Sequence, residues 1–327
     1  MSFAGSSPPA AILFSVALAW GCSSPPPPAA PATDPSEVLG PDEGEGSAGF
    51  RAGVDAISAG EFDKARGIFE KLAAEQPSNA KAHFYLGVAQ QNLEQRDAAV
   101  ESYEKALSLD PKLTEAAVNM TAALLDAGEA SRAAPIIDRS LASDPQNLGL
   151  LYNRALAASM LGKKAEAVGY YREALAADPK NAEIKYGYAE ALVAAGSTTE
   201  AQAVLVELIQ SDDVAVLASS ARLLGRLDDF GGCIQALTRA IERQASAELY
   251  VARGLCQHGK RDESAAMSDF QRAIEKDASY APAHYYAGMH LKSLGKKKDA
   301  RAALTRAVEL AGDEGVGKAA RRALDGL

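Results

Sequence analysis

The sequence predicts an all-α solenoid of stacked helix–turn–helix hairpins. Three columns of residues in one register carry that prediction. Prolines recur at Pro77, Pro111, Pro145 and Pro179, a step of about 34 residues. A small residue keeps the same step at Ala65, Ala99, Ala133, Ala167 and Ala201. A bulky apolar residue stands one helical turn after each alanine, at Phe69, Tyr103, Ile137, Tyr171 and Leu205. A stack of this kind has no enclosed pocket by default, so a binding scaffold is expected rather than an enzyme.

Residues 80–113 form the cleanest unit. Leu86, Gly87 and Gln90 share one face of its first helix, and Ala99, Tyr103 and Ala106 share one face of its second. Gly87 and Ala99 carry little or no side chain, so the two backbones can approach closely. Tyr103 then fills the space toward the neighbouring hairpin. Asp110-Pro111 closes the second helix, because proline disfavours helical geometry in the residue before it. The register yields eight units, at about 46–79, 80–113, 114–147, 148–181, 182–213, 214–246, 247–280 and 281–314. The later ones are degenerate: the proline slot holds Asp213, Ala245, Ala278 and Gly312, and Cys233 takes the alanine slot of the sixth. Gly254, Ala266, Phe270 and Ala273 restore the pattern in the seventh, as do Gly288, Ala300, Leu304 and Ala307 in the eighth. Residues 315–327 read as a capping helix with Ala319, Ala320 and Leu324 inward and Lys318, Arg321 and Arg322 outward.

Over residues 46–314 the chain resembles the tetratricopeptide-repeat family. The resemblance implies a right-handed superhelix whose first helices line a concave groove. Groove-facing positions of the family carry over to Phe84, Val118, Tyr152, Tyr186, Val251 and Tyr285, and, one turn further on, to Val88, Ala122, Leu156 and Glu190. An apolar stripe there would be an exposed patch, which marks a binding site. The expected partner is a peptide or helix of another protein, touching Phe84, Val88, Val118, Tyr152, Leu156, Tyr186 and Tyr285. The alternative is that these side chains only support the hairpins. Some family members clamp a carboxylate tail with Lys, Arg and Asn. Asn119 and Asn153 occupy a clamp-like position, but their basic companions are absent, and that function is disfavoured.

The front of the chain lies outside the solenoid. Residues 10–20 read AAILFSVALAW, an apolar run with the length of a signal-peptide core and too short to span a bilayer. Gly21-Cys22 follows, then Ser23, Ser24 and four prolines. This resembles the lipobox of bacterial lipoproteins, with 1–22 as signal peptide and Cys22 as the lipidated residue. Ala19 stands where that family favours leucine, Trp20 is bulky for its slot, and no Lys or Arg precedes Arg51. Residues 23–47, rich in Pro, Ser, Ala, Gly and acidic residues, have the composition of a disordered tether. The implied location is the bacterial cell envelope, lipid-anchored, at the outer membrane and facing the periplasm.

The 327 residues carry a net charge of −9, and the one basic run, Lys296–Lys298, falls at an expected turn. Nucleic-acid binding is not expected. No H-E-x-x-H, C-x-x-C or G-x-S-x-G occurs, so no catalytic, metal or cofactor site is expected. His83 and His284 stand where the family takes a large aromatic, which implies packing. Cys233 lies early in the second helix of unit six and Cys256 late in the first helix of unit seven. Antiparallel neighbours of this kind bring the two thiols within a turn of each other, and an envelope location permits a disulfide; two buried free thiols are the alternative. The expected role is an interaction scaffold assisting a cell-envelope machine, like lipoproteins that pilot secretins or pili. An organiser of peptidoglycan enzymes, or a soluble cytoplasmic adaptor should the leader not be a signal, are the alternatives.

Overall fold

The computed structural model describes residues 48–312 and 315–327. The leader 1–22 with Cys22, and the tether 23–47, lie outside the described residues. Every regular element among the described residues is an α-helix. The chain divides into two compact units between Gly196 and Ser197.

The N-terminal unit holds α1 (Ala48–Ser58), α2 (Phe62–Glu75), α3 (Ala80–Asn92), α4 (Arg96–Leu109), α5 (Thr114–Asp126), α6 (Ala130–Leu141), α7 (Leu148–Met160), α8 (Lys164–Ala177) and α9 (Ala182–Ala195). Consecutive helices pack together, and the first helices α3, α5, α7 and α9 also touch in sequence. The alanine column is sealed: Ala65, Ala99 and Ala133 are 0% exposed. Phe69, Tyr103, Ile137 and Tyr171 are buried beside it. Asn79, Asn147 and Asn181 cap α3, α7 and α9, each side chain accepting a hydrogen bond from the backbone N–H three residues on. Asp110 closes α4 in extended geometry before Pro111, and Asp178 closes α8 in non-helical geometry before Pro179, as the proline column requires.

The C-terminal unit holds α10 (Thr198–Leu208), α11 (Val214–Arg226), α12 (Phe230–Arg243), α13 (Ala247–Gly259), α14 (Glu263–Lys276), α15 (Ala281–Ser293), α16 (Lys297–Ala311) and α17 (Gly315–Asp325). The division thus runs through the fifth expected hairpin, whose first helix, α9, and second helix, α10, belong to different units. Cys233 on α12 and Cys256 on α13 are joined by a disulfide with Cα atoms 6.2 Å apart, within the range such a bond requires. Arg253 on α13 donates through Nε and Nη2 to both carboxylate oxygens of Asp269 on α14, at 2.7 and 2.8 Å. The last helix, α17, packs on α15 and α16. It buries Ala320 and Ala323, with Ala319 and Leu324 partly covered. Lys292 Nζ donates to the Ala323 carbonyl and Lys297 Nζ to that of Leu327, so part of the basic stretch ties down the end of the chain.

One backbone feature marks all eight turns between first and second helices. Gly60, Gly128, Gly162, Gly196 and Gly295 have positive φ there, and Glu94, Asp228 and Arg261 adopt φ of 59°, 57° and 67° in the same slot. Only a left-handed residue reverses the chain this tightly, and glycine adopts that conformation without a Cβ clash.

Candidate functional site

The first helices were expected to present an apolar stripe, and the structure covers most of it. Phe84, Val88, Val118, Tyr152, Leu156 and Tyr285 are all buried, none more than 6% exposed. This corrects their reading as an exposed contact surface. Helical periodicity places them on one apolar face, but the neighbouring first helix and the second helix of the same hairpin close over that face. Phe84 meets Tyr85 and Tyr103 with ring centroids 5.0 and 5.9 Å apart, Tyr152 meets Tyr171 at 6.1 Å, and Tyr285 meets Tyr286 at 5.0 Å. Tyr186 alone of the seven is half-buried. Asn119 and Asn153 are also inside: Asn153 Nδ2 donates to the Val118 carbonyl and to Thr121 Oγ1, at 3.1 and 2.9 Å.

What reaches the surface of the N-terminal unit is the polar edge of this stripe, on α7 and α9. The Tyr152 hydroxyl donates to Glu183 Oε1 at 3.0 Å, and the Tyr186 hydroxyl donates to Glu190 Oε1 at 3.0 Å. Glu183, Tyr186 and Glu190 are partly exposed, all on α9. They stand within two helical turns of one another, so their tips form one patch backed by the Tyr152 and Tyr171 rings. Burial raises the Tyr152 hydroxyl far above the ordinary phenol range, and Tyr171, Glu183 and Glu190 raise it further. Tyr171 is raised by burial and then by Glu190. The Glu183 carboxyl is itself raised by burial, against the lowering effect of the bond from Tyr152. The phenols therefore stay protonated as donors, and two partly desolvated carboxylates stand beside them as acceptors. Such a patch can bind a cationic or amide-bearing chain segment, whose positive charge would relieve the crowding of carboxylates. Glu190 belonged to the groove column read from the sequence. Glu183 lies outside that column, and no sequence signal singled it out.

His83 and His284, expected to pack, instead meet backbone carbonyls. Each is half-buried, and each ring Nε2 lies against a carbonyl of the preceding turn, Pro77 O at 3.2 Å and Ala278 O at 3.0 Å. His258 and His290 instead converge with Glu263.

Models of the tetratricopeptide repeat match residues 80–113, 122–182 and 160–223. Among solved structures, a tetratricopeptide repeat protein from Parabacteroides merdae is similar at 19% identity, covering 74% of this chain and 97% of its own, with a TM-score of 0.55. Yeast Tom70 is similar at 15% identity, covering 97% of this chain and 71% of its own, with a TM-score of 0.53. At these identities the likeness concerns the fold alone. The curated protein sequences contain no match to this chain.

Proposed function

From the tetratricopeptide repeats matched at residues 80–113 and 122–223, we propose that the chain is a tetratricopeptide-repeat protein acting as a non-enzymatic scaffold that holds a segment of a partner protein against the α7–α9 face of its N-terminal unit. The observation that carries this reading is the Tyr186–Glu190 pair beside Tyr152–Glu183, a set of donors and partly desolvated acceptors on adjacent first helices. The partner segment is one bearing lysine, arginine or amide side chains. Cross-linking in the native cell followed by pull-down identifies the partner. The affinity of that purified partner for wild type, Tyr186→Ala and Glu190→Gln then tests the face. A loss of about 1–3 kcal/mol in either variant supports the reading, and unchanged affinity in both removes the site from α9.

The lipobox-like stretch ending at Cys22 supports an anchored location, on the outer membrane and facing the periplasm. There the scaffold would assist assembly of a cell-envelope machine of the secretin or pilus type. Acylation of Cys22 predicts uptake of labelled palmitate and partition into detergent, both lost in Cys22→Ala. Labelling and membrane association unchanged in that variant would reject acylation at Cys22, and a wild-type chain found in the soluble fraction on cell fractionation would leave a soluble adaptor.

A further inference from the structure

Three metal-ligand side chains meet between the seventh and eighth hairpins of the C-terminal unit. His258 lies in the last turn of α13, Glu263 opens α14, and His290 lies in the second half of α15. His258 Nδ1 is 2.9 Å from Glu263 Oε2, and His290 Nδ1 is 3.2 Å from the same oxygen. The two rings stand edge to face at a centroid distance of 5.7 Å. One donor atom from each of the three residues falls within 4.8 Å of the others.

A second observation is independent of this spacing. His290 is 1% exposed, and neither of its ring nitrogens makes a well-aligned hydrogen bond. Its 3.2 Å approach to Glu263 is not aligned as one. Burying a polar group without an aligned partner is costly, so an imidazole left this way needs a reason. The Phe270 ring closes one side of it at a centroid distance of 5.9 Å. The Glu263 side chain keeps 40% of its surface, which leaves a way in from solvent.

We propose that His258, Glu263 and His290 form a divalent-metal site of the zinc class. Two imidazole nitrogens and one carboxylate oxygen are a donor set that Zn2+ takes in tetrahedral geometry, with a fourth position left to water or an outside ligand. Metal–ligand bonds of about 2.0–2.1 Å place tetrahedral donors about 3.3 Å apart. Two of the three separations are already near that value, and the third closes by no more than about 1.5 Å, a side-chain rotation. The ion would give His290 a directed bond in place of its misaligned approach to Glu263 and would join α13, α14 and α15 at one point, adding a second link near the Cys233–Cys256 bond.

The test uses the full chain, freed of metal by a chelator, with Cys22→Ser as background to remove an unrelated thiol. Zinc is titrated by calorimetry and by melting. The expected result is one saturable equivalent per chain and a melting temperature raised by several degrees. Binding should weaken at least about tenfold in His258→Gln and in Glu263→Gln, both at partly exposed positions. No saturable equivalent, or an affinity in both variants equal to that of the Cys22→Ser parent, overturns the proposal. Should the variants fail to fold, X-ray absorption of the zinc-loaded Cys22→Ser chain decides: two imidazoles with an oxygen sustain the site, and any other ligand set rejects it.

Discussion

A methyl group on Gly87 would lie 2.6 Å from Cε1 of the Tyr103 ring. The same relation recurs sixteen residues apart at Gly53 and Phe69, Gly254 and Phe270, and Gly288 and Leu304. The second helix of each of these hairpins therefore presses its large side chain onto the bare backbone of the first. Gly87→Ala should destabilise the N-terminal unit by about 1–3 kcal/mol through overpacking. Gly67→Ala is the contrast, because nothing lies within 4 Å of that site on α2. There alanine should stabilise by about 0.5–1 kcal/mol, since it removes backbone freedom from the unfolded chain. Urea melts of the two variants should move in opposite directions.

Arg261 holds the left-handed turn slot that glycine fills in five other hairpins. A residue with a Cβ carries a cost of about 1 kcal/mol in that conformation. Arg261→Gly should therefore raise stability by up to about 1 kcal/mol, and Asp228→Gly should do likewise. Gly162→Ala, at φ 71°, should lower it. Thermal melts that place the glycine variants below wild type would show that these side chains stabilise the turn in another way.

Tyr152 and Tyr186 stand in the same column of adjacent first helices, yet one is 3% exposed and the other is half-buried. Tyr152→Ala should act as a core truncation and cost about 3–5 kcal/mol. Tyr186→Ala should change stability little and act on partner binding. Equal shifts in melting temperature for the two would mean that Tyr186 is as structural as Tyr152.

The Asp269 side chain keeps 2% of its surface and takes both donors of Arg253. Removing one member leaves the other charge without compensation. Asp269→Asn and Arg253→Met should each cost about 3–5 kcal/mol, and the double replacement should recover much of that loss. A double-mutant cycle with no coupling energy would argue against the pair.

The spacing of prolines, alanines and bulky residues made the hairpins legible, because each column answers one steric demand that repeats with the fold. The turn slot was half legible: five glycines declare it, whereas Glu94, Asp228 and Arg261 conceal it. The stripe through Phe84, Val118 and Tyr152 was legible as one face of a helix but not as core. Periodicity tells which side is apolar, and only packing tells what lies against it. His258, Glu263 and His290 match no motif, since a turn separates the first two and most of a hairpin separates the third. Their meeting depends on how one hairpin seats on the next.

The Cys233–Cys256 bond crosses from one hairpin to the following one rather than closing a single hairpin. In a stack where each repeat leans only on its neighbours, unravelling travels from repeat to repeat. A covalent link across one of those seams interrupts that travel. Under tension applied through its ends, the chain from 233 to 256 cannot lengthen, so α12 and α13 stay tethered while segments on either side pay out. Reduction would remove this stop, making the extension reached under load depend on the redox state of the surroundings.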